Sequence, residues 1–287
     1  MNNYVIFTDL ACDITTDILK GWNVKSIPLS FIFDGSRDQY YSEDMSVKDF
    51  YNIMRTGGVA RTSAINSEIF RETFEAELKN GSDVIYIAFS SGLSNTCNNA
   101  GMVAEELMKV YPDRKVIVVD SLAASGGYGL LVYFASKKRD EGATAEELEQ
   151  YIISIRNKLC HWFTVDDLVY LKRGGRVSAT KAFVGGVLGI KPVLHVDEEG
   201  HLINVSKARG RKASVKALAE KFGELAIDVK DTVFISNGDC KEDAEDLESI
   251  LREKYGAVDI THTDIGPIIG AHAGPGTLAL FFLGEHK

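Results

Sequence analysis

Two segments rich in hydroxyl side chains are the first candidates for chemistry. They are Arg61-Thr62-Ser63-Ala64-Ile65-Asn66-Ser67 and Ser90-Ser91-Gly92-Leu93-Ser94-Asn95-Thr96, and each precedes a helical pattern. At a helix start the first backbone N–H groups lack partners, and hydroxyl groups add donors, so such a segment can bind an anion. The same side chains can instead cap the helix, and the sequence alone leaves both interpretations open. Two such segments in one half of the chain favour a shared pocket beyond the strand ends.

A third candidate is His272, which lies in the glycine- and proline-rich segment 266–276. Glycine and proline predict an irregular loop that exposes its backbone, and small neighbours would let the imidazole reach a ligand. His272 could donate a hydrogen bond to a carboxylate. A purely structural role is the alternative.

Two acids, Asp9 and Asp120, each follow an apolar run of strand length. They could hold a metal or position other groups, or they could cap the following turn. Ser125-Gly126-Gly127-Tyr128-Gly129 lacks the GxGxxG spacing, so its small residues predict close helix packing, and the chain has no Walker A motif. Because no nucleophile-plus-base constellation is visible, we expect no catalysis by this chain alone. The competing hypothesis is a metal- or phosphate-dependent phosphotransferase or hydrolase that uses Asp9, Asp120 and the hydroxyl segments.

The charge distribution is uneven. The 32 Lys and Arg against 41 Asp and Glu give a net charge of −9, which argues against a general nucleic-acid or membrane-surface binder. Residues 172–216 nevertheless hold ten Lys and Arg against three acids. Their cations fall mainly in two clusters, around Gly174-Gly175-Arg176 and along 207–212. A solvated face is the usual explanation of such clusters, and contact with an anion or an acidic partner is the functional one.

The elements that position these residues follow from the hydrophobic pattern. In the first half, apolar runs at 4–8, 25–33, 83–89 and 115–119 alternate with helical patterns, and Asn66 and Thr144 are candidate helix caps. Such alternation predicts βαβ units and a mostly parallel, Rossmann-like sheet. The second half predicts a hairpin around 197–200 and an α+β domain with a mixed sheet. We place the domains at 1–158 and 159–287.

Composition sets the remaining limits. The chain has 287 residues with 45% hydrophobic residues, which suits two globular domains. Its four cysteines form no CxxC pair, which predicts free thiols in a reducing cytoplasm and no structural zinc. We expect no signal peptide and no membrane-spanning segment.

The ordered set of short motifs resembles the DegV family of bacterial fatty-acid-binding proteins. The motifs span nearly the whole chain: TDLACD at 8–13, TS at 62–63, SSGLSNT at 90–96, DS at 120–121, DDLVYLKRGGRVS at 166–178, KPVL at 191–194 and GPIIGAHAGPG at 266–276. The resemblance implies a two-domain α/β fold that holds one long-chain fatty acid, such as palmitate, stearate or oleate, between the domains. It also implies a non-catalytic subunit that presents the carboxylate to a separate ATP-using fatty acid kinase.

The resemblance also implies roles for individual residues. Thr62, Ser94 and His272 correspond to the residues that bind the carboxylate in the family. Supporting positions are Ser63, Ser91, Gly92 and Asn95. Arg176 and Arg209 correspond to positions implicated in contact with a partner or a phosphate. No cofactor and no metal site are expected.

Overall fold

The computed structural model describes residues 3–177 and 189–287 of the chain. Ser178, which ends the DDLVYLKRGGRVS segment, and Lys181 of the basic segment lie outside the described residues. The described strands are β1 (Tyr4–Asp9), β2 (Val24–Ile27), β3 (Ser30–Phe33), β4 (Gln39–Tyr41), β5 (Ala60–Ser63), β6 (Asp83–Ala88), β7 (Val116–Asp120), β8 (Leu159–Thr164), β9 (Ile190–Val196), β10 (Leu202–Arg209), β11 (Val233–Asn237), β12 (Ile260–Asp264) and β13 (Leu278–Leu283).

Helices separate most of these strands along the chain. They are α1 (Thr16–Gly21), α2 (Val47–Arg55), α3 (Ser67–Lys79), α4 (Thr96–Val110), α5 (Ser125–Asp140), α6 (Ala145–Arg156), α7 (Val169–Arg173), α8 (Arg211–Leu225), α9 (Lys241–Tyr255) and α10 (Pro267–Ala273). The predicted caps are confirmed: Asn66 accepts a hydrogen bond from the Ile69 N–H, and Thr144 forms a complete capping box with Glu147. In the described residues, no helix combines the length and the apolar character that a membrane crossing requires.

The predicted fold class is confirmed. In the first half β2, β1, β6 and β7 form a sheet in that order, with every neighbouring pair parallel. In the second half the sheet order is β10-β9-β8-β13-β11-β12, in which only the β11–β12 pair is parallel. The predicted hairpin is the β9–β10 pair. The division at 158/159 stays a prediction, although the six-stranded sheet begins at Leu159.

The prediction of one continuous strand over 25–33 is wrong. The extended segment is interrupted between β2 and β3 at Pro28, because the proline nitrogen has no hydrogen to donate to a sheet. Strand β3 then joins a separate antiparallel sheet with the order β4-β3-β5. Phe31 of β3 packs edge-to-face on Phe50 of α2, with 5.5 Å between ring centroids. The small sheet and α2 therefore share an aromatic core.

The prediction of an irregular loop over 266–276 is also wrong, because residues 267–273 form helix α10. Pro267 occupies the first turn, where a missing N–H costs nothing. Gly270 lies against the ring of Phe50 and the hydroxyl of Tyr51, and a Cβ at this position would be 2.6 Å from that hydroxyl oxygen. The glycine therefore reflects a close approach between helices rather than a flexible loop.

Helix α5 joins the two sheets. It follows β7 in sequence, yet its first turn packs on the C-terminal sheet, where a Cβ at Gly126 would lie 2.3 Å from Ser236 Oγ and one at Gly127 would lie 2.4 Å from His161 Nε2. The predicted close packing of these small residues is confirmed. One continuous apolar core contains residues of both halves, from Phe7 and Leu130 to Phe163 and Phe281.

Asp13, which follows β1 in the chain, forms hydrogen bonds to the starts of α5 and α10 at this junction. Its carboxyl group shares a hydrogen bond of 2.5 Å with the Ser125 hydroxyl and accepts another from the Gly266 N–H, at the start of α10, at 2.9 Å. Burial raises the pKa of Asp13 to about 8, and the nearby Asp264 acts in the same direction. The folded protein therefore favours the protonated acid.

We predict that ionisation of Asp13 weakens the fold as the pH rises. Because the pKa is about 8 in the folded protein and 3.8 for the ordinary side chain, the folded state retains a proton that the unfolded chain has lost between these values. The free energy of unfolding should fall over this interval and level off above it. The Asp13→Asn variant should show a flatter dependence in urea titrations between about pH 5 and pH 9. Asp113→Asn, in an exposed turn, is the control; parallel curves for wild type and Asp13→Asn would contradict the assignment.

Candidate functional site

A cavity of about 270 Å³ lies between the two halves, close to the lower end of the roughly 300–1,000 Å³ typical of ligand pockets. Most of its wall is apolar. The apolar lining residues are Leu29, Ala64, Phe89, Leu93, Ala124, Phe163, Leu171, Val196, Leu202, Ile265, Ile268, Ile269, Ala273, Ala279 and Phe281. Such a wall suits a hydrocarbon group.

The polar part of the wall brings together all three predicted carboxylate ligands. Thr62 of β5, Ser94 of the β6–α4 turn and His272 of α10 all line the cavity. Thr62 Oγ1 lies 2.8 Å from His272 Nε2, although the residues are 210 positions apart in sequence. Ser94 Oγ lies 2.9 Å from Thr96 Oγ1, which accepts a hydrogen bond from the Ile65 N–H at 3.3 Å. The two hydroxyl-rich segments are therefore joined directly, and the expectation of a shared pocket is confirmed.

Arg176 also lies on this wall, and its guanidinium binds the backbone of the turn that carries Ser94. Its Nε and Nη2 donate to the Leu93 carbonyl at 3.1 and 3.0 Å, and its Nη1 donates to the Gly174 carbonyl at 2.5 Å. A guanidinium has five N–H groups, so these bonds leave two for other acceptors. Among the described residues no carboxylate forms an ion pair with Arg176, and burial lowers its pKa. A half-buried cation of this kind favours an anionic ligand.

His272 is held neutral in this environment. Burial, and then the neighbouring Arg176 cation, lowers its pKa to about 4. Its Nδ1 is buried without a hydrogen-bond partner among the described residues and faces Gly174, where a Cβ would lie 2.3 Å away. A bound anion would offset the repulsion from Arg176 and raise the His272 pKa. The imidazole can then act as a hydrogen-bond donor to that anion.

A second, smaller cavity of about 210 Å³ shares the walls of Thr62, Arg176 and His272. It adds two exposed arginines, Arg61 and Arg173. Arg61 is paired with Asp34, whereas Arg173 lies over the Tyr170 ring at 5.7 Å. The polar end of the apolar cavity therefore opens toward a basic vestibule, by which we mean the cavity lined by Arg61, Arg173 and Arg176.

The remaining predicted site residues divide into two groups. Ser63 and Asn95 line the apolar cavity. Ser91 and Gly92 do not: the Ser91 N–H donates to Asp120, and a Cβ at Gly92 would meet the backbone of the β9–β10 turn at 2.9 Å. Arg209 is exposed at the end of β10, away from both cavities.

Several cations of the basic segment have acidic partners. Lys191 pairs with Asp166 at 2.7 Å and Arg211 with Asp243 at 3.0 Å, while Lys216 and Glu220 form an exposed pair at 3.6 Å. The excess charge of this segment is therefore partly neutralised within the fold. Among the described cations of this segment, Arg173 and Arg176 reach the cavities.

The acids of the enzyme hypothesis have internal hydrogen-bond partners. Asp9 is fully buried and accepts hydrogen bonds from the Tyr86 hydroxyl at 2.5 Å and from the Ala11 N–H at 3.0 Å. Burial raises its pKa to about 6. Asp120 accepts from the backbone of Ser91 and Leu122. Neither acid lines the cavities, and the described ranges contain no group of three or more His, Cys, Asp or Glu side chains that could hold a metal.

Three polar residues of the cavity wall are missed by the sequence analysis: Ser125, His161 and Thr277. His161 alternates with Phe163 along β8, so both face the cavity, and this period of two is a signal that could have identified it. For Ser125 the sequence indicates helix packing only. Its backbone φ of +55° turns the start of α5 toward Asp13, which the sequence does not indicate.

Comparisons with known proteins agree with this arrangement. Residues 3–285 match the model described as "Uncharacterised protein, DegV family". The chain is 43% identical to a DegV domain-containing protein of Clostridium perfringens, over 100% of this chain and 99% of that one.

Solved structures give the same result. A DegV lipid binding protein from Thermotoga maritima has a TM-score of 0.85 and 29% identity, covering 99% of both chains. A fatty acid binding DegV family protein from Thermus thermophilus has a TM-score of 0.89 and 26% identity, covering 99% of this chain and 100% of that one. The match along nearly the whole sequence and the whole fold shows that this chain belongs to the DegV family.

Proposed function

We propose that this protein binds one long-chain fatty acid, with the tail in the apolar cavity and the carboxylate at Thr62, Ser94 and His272. The observation that carries the proposal is Arg176, a half-buried cation with no described acid partner at the polar end of an apolar cavity. The T. maritima and T. thermophilus relatives, described as lipid-binding and fatty-acid-binding, support the same ligand class.

The energetics suit such a ligand. Each buried methylene contributes about 0.8 kcal/mol, so a long chain can offset the cost of its own ordering. The carboxylate would receive hydrogen bonds from two hydroxyl groups and the imidazole, and Arg176 has two further N–H groups to offer. The proposal requires no resident cofactor and no catalytic residue in this chain. Because Asp9 and Asp120 have structural partners outside the cavities, no observation favours the enzyme hypothesis.

Native mass spectrometry tests the proposal directly. Protein purified from a bacterial host should carry one additional mass that corresponds to a long-chain acid, such as palmitate, stearate or oleate. Denaturation should release that acid for identification. A ligand-free protein that also fails to take up added palmitate would overturn the proposal.

Ser94→Ala should weaken binding of the acid. Loss of a hydrogen bond to a charged group costs about 1–3 kcal/mol, which corresponds to a Kd roughly 5- to 150-fold higher. Titration with palmitate, in competition with a fluorescent fatty acid, measures this change. Ser91→Ala is the matched control, because Ser91 is exposed on the same turn and lies outside the cavity lining. Equal affinities of the two variants would exclude Ser94 as a carboxylate ligand.

We further propose that the bound carboxylate is presented to a separate, ATP-using fatty acid kinase, which forms the acyl phosphate. The basic vestibule supports this idea, because it adjoins Thr62 and His272 and its cations suit an incoming phosphate group. Arg209 remains a candidate contact for the partner, since its side chain is exposed. The cytoplasm is the compartment we propose, because all four cysteines are free thiols.

Arg173→Ala should leave the Kd for palmitate within about twofold of wild type, because Arg173 does not line the apolar cavity. It should lower the rate at which a bacterial fatty acid kinase phosphorylates the bound acid. Arg209→Ala tests the second contact in the same assay. Lys241→Ala, on the exposed face of α9, is the control for general loss of charge. Wild-type phosphorylation rates in both arginine variants would refute the docking role.

A further inference from the structure

Thr96, the first residue of α4, contacts the proposed carboxylate ligand Ser94 but does not itself line the cavity. Its side chain is fully buried, whereas Ser94 is half-buried and forms part of the cavity wall. The hydroxyl oxygens of the two residues are 2.9 Å apart. A ligand can therefore touch Ser94 but not Thr96, so any effect of Thr96 on binding must act through a neighbouring residue.

The surroundings of Thr96 determine which of these two hydroxyl groups is the donor. The Thr96 oxygen already accepts a hydrogen bond from the Ile65 N–H at 3.3 Å. Its own proton needs an acceptor, because an unpaired hydroxyl proton in a buried position is unfavourable. Within the part of the chain that the structure describes, the Ser94 oxygen is the acceptor within reach of that proton. Thr96 is therefore the donor in this pair and Ser94 the acceptor.

This assignment determines where the Ser94 proton can point. The Ser94 oxygen also accepts a hydrogen bond from the backbone N–H of Thr96, at 3.3 Å. The hydroxyl and the N–H of Thr96 together occupy both lone pairs of that oxygen, so the proton of Ser94 is the group left for another partner. Because Ser94 lines the cavity, its proton is available to a ligand there.

A fixed proton matters because a carboxylate can only accept hydrogen bonds. A serine hydroxyl that is free to rotate can turn either its proton or a lone pair toward the ligand, and a lone pair would repel the anion. A donor that is oriented before the ligand arrives avoids part of the ordering cost of binding. The contacts of Thr96 supply this orientation in the structure, which holds no ligand.

We propose that Thr96 is a positioning residue, which holds the Ser94 hydroxyl as a hydrogen-bond donor to the carboxylate of the ligand. The inference rests on the proposed function and deepens it, since it concerns the same site. One chain of donors then runs from the Ile65 N–H to Thr96, from Thr96 to Ser94 and from Ser94 to the ligand.

Competition binding of palmitate against a fluorescent fatty acid tests the inference. Thr96→Val keeps the branched shape but removes the hydroxyl group, and it should raise the Kd about 3- to 10-fold. Thr96→Ser keeps the hydroxyl group and should bind palmitate with a Kd within about twofold of wild type. Failure of Thr96→Ser to bind better than Thr96→Val would overturn the inference, because a role in packing alone does not require the hydroxyl group.

Asn99→Ala is the matched control. Asn99 donates to the Ile65 carbonyl at 2.8 Å from the same end of α4, and among the described hydrogen bonds it makes none to Ser94. Like Thr96→Val, this variant leaves a backbone group of Ile65 without its partner. Its Kd should stay within about twofold of wild type. A loss of affinity equal to that of Thr96→Val would assign the effect to Ile65 and overturn the inference.

A double-mutant cycle shows whether Thr96 acts through Ser94. Adding Thr96→Val to Ser94→Ala should not weaken palmitate binding further, whereas additive effects would overturn the inference. A wild-type Kd in Thr96→Val would overturn it as well. Absence of palmitate binding in the wild type would instead overturn the proposed function itself.

Thr96→Cys replaces Thr96→Val if the valine variant does not fold. A thiol is only a weak donor and a weak acceptor, so the Kd of Thr96→Cys should exceed that of Thr96→Ser. Equal Kd values for these two variants would overturn the inference.

Discussion

The close approach of helix α5 to the C-terminal sheet is the constraint on which the rest of the structure depends. The helix belongs by sequence to the parallel α/β half, yet Gly126 and Gly127 place its first turn against Ser236, Phe281 and His161 of the other half. Side chains at these positions would hold the two sheets apart. Because they are absent, one apolar core runs through both halves, and the cavity forms where that core is incomplete.

The same junction divides the cavity into a charged end and an apolar length. Thr62 and Ser94 come from the first half, His272 and Arg176 from the second, and the Leu93 carbonyl accepts from Arg176 across the boundary. Desolvation keeps His272 neutral and leaves Arg176 as the cation of the site. A ligand with one negative charge and a long apolar tail matches this distribution, since a second charge would have to enter an apolar wall.

Local signals made the elements predictable, and long-range contacts limited the prediction of the site. Caps at Asn66 and Thr144 and the apolar strands depend on neighbouring residues, so the sequence was sufficient to predict them. The sequence does not predict helix α10, because glycine and proline are typical of loops. In the structure Gly270 fits beneath Tyr51 and Pro267 begins the helix. The sequence places Arg176 only in contact with a partner or a phosphate, because its bonds to Leu93 span 83 positions that no sequence pattern connects.

The site also depends on the junction for its shape, which relates ligand binding to the packing of the two halves. Asp13 holds the starts of α5 and α10 together, and these helices carry Ser125 and His272 to the cavity. A ligand that contacts both halves adds interactions between them to those made by Asp13 and Arg176. Because such a ligand binds only when the two halves are packed together, it must stabilise the packed arrangement. Neither half alone supplies both hydroxyl groups and the cation. The proposed binding is therefore a property of the junction, and it requires the glycines of α5 as well as the polar residues of the cavity wall.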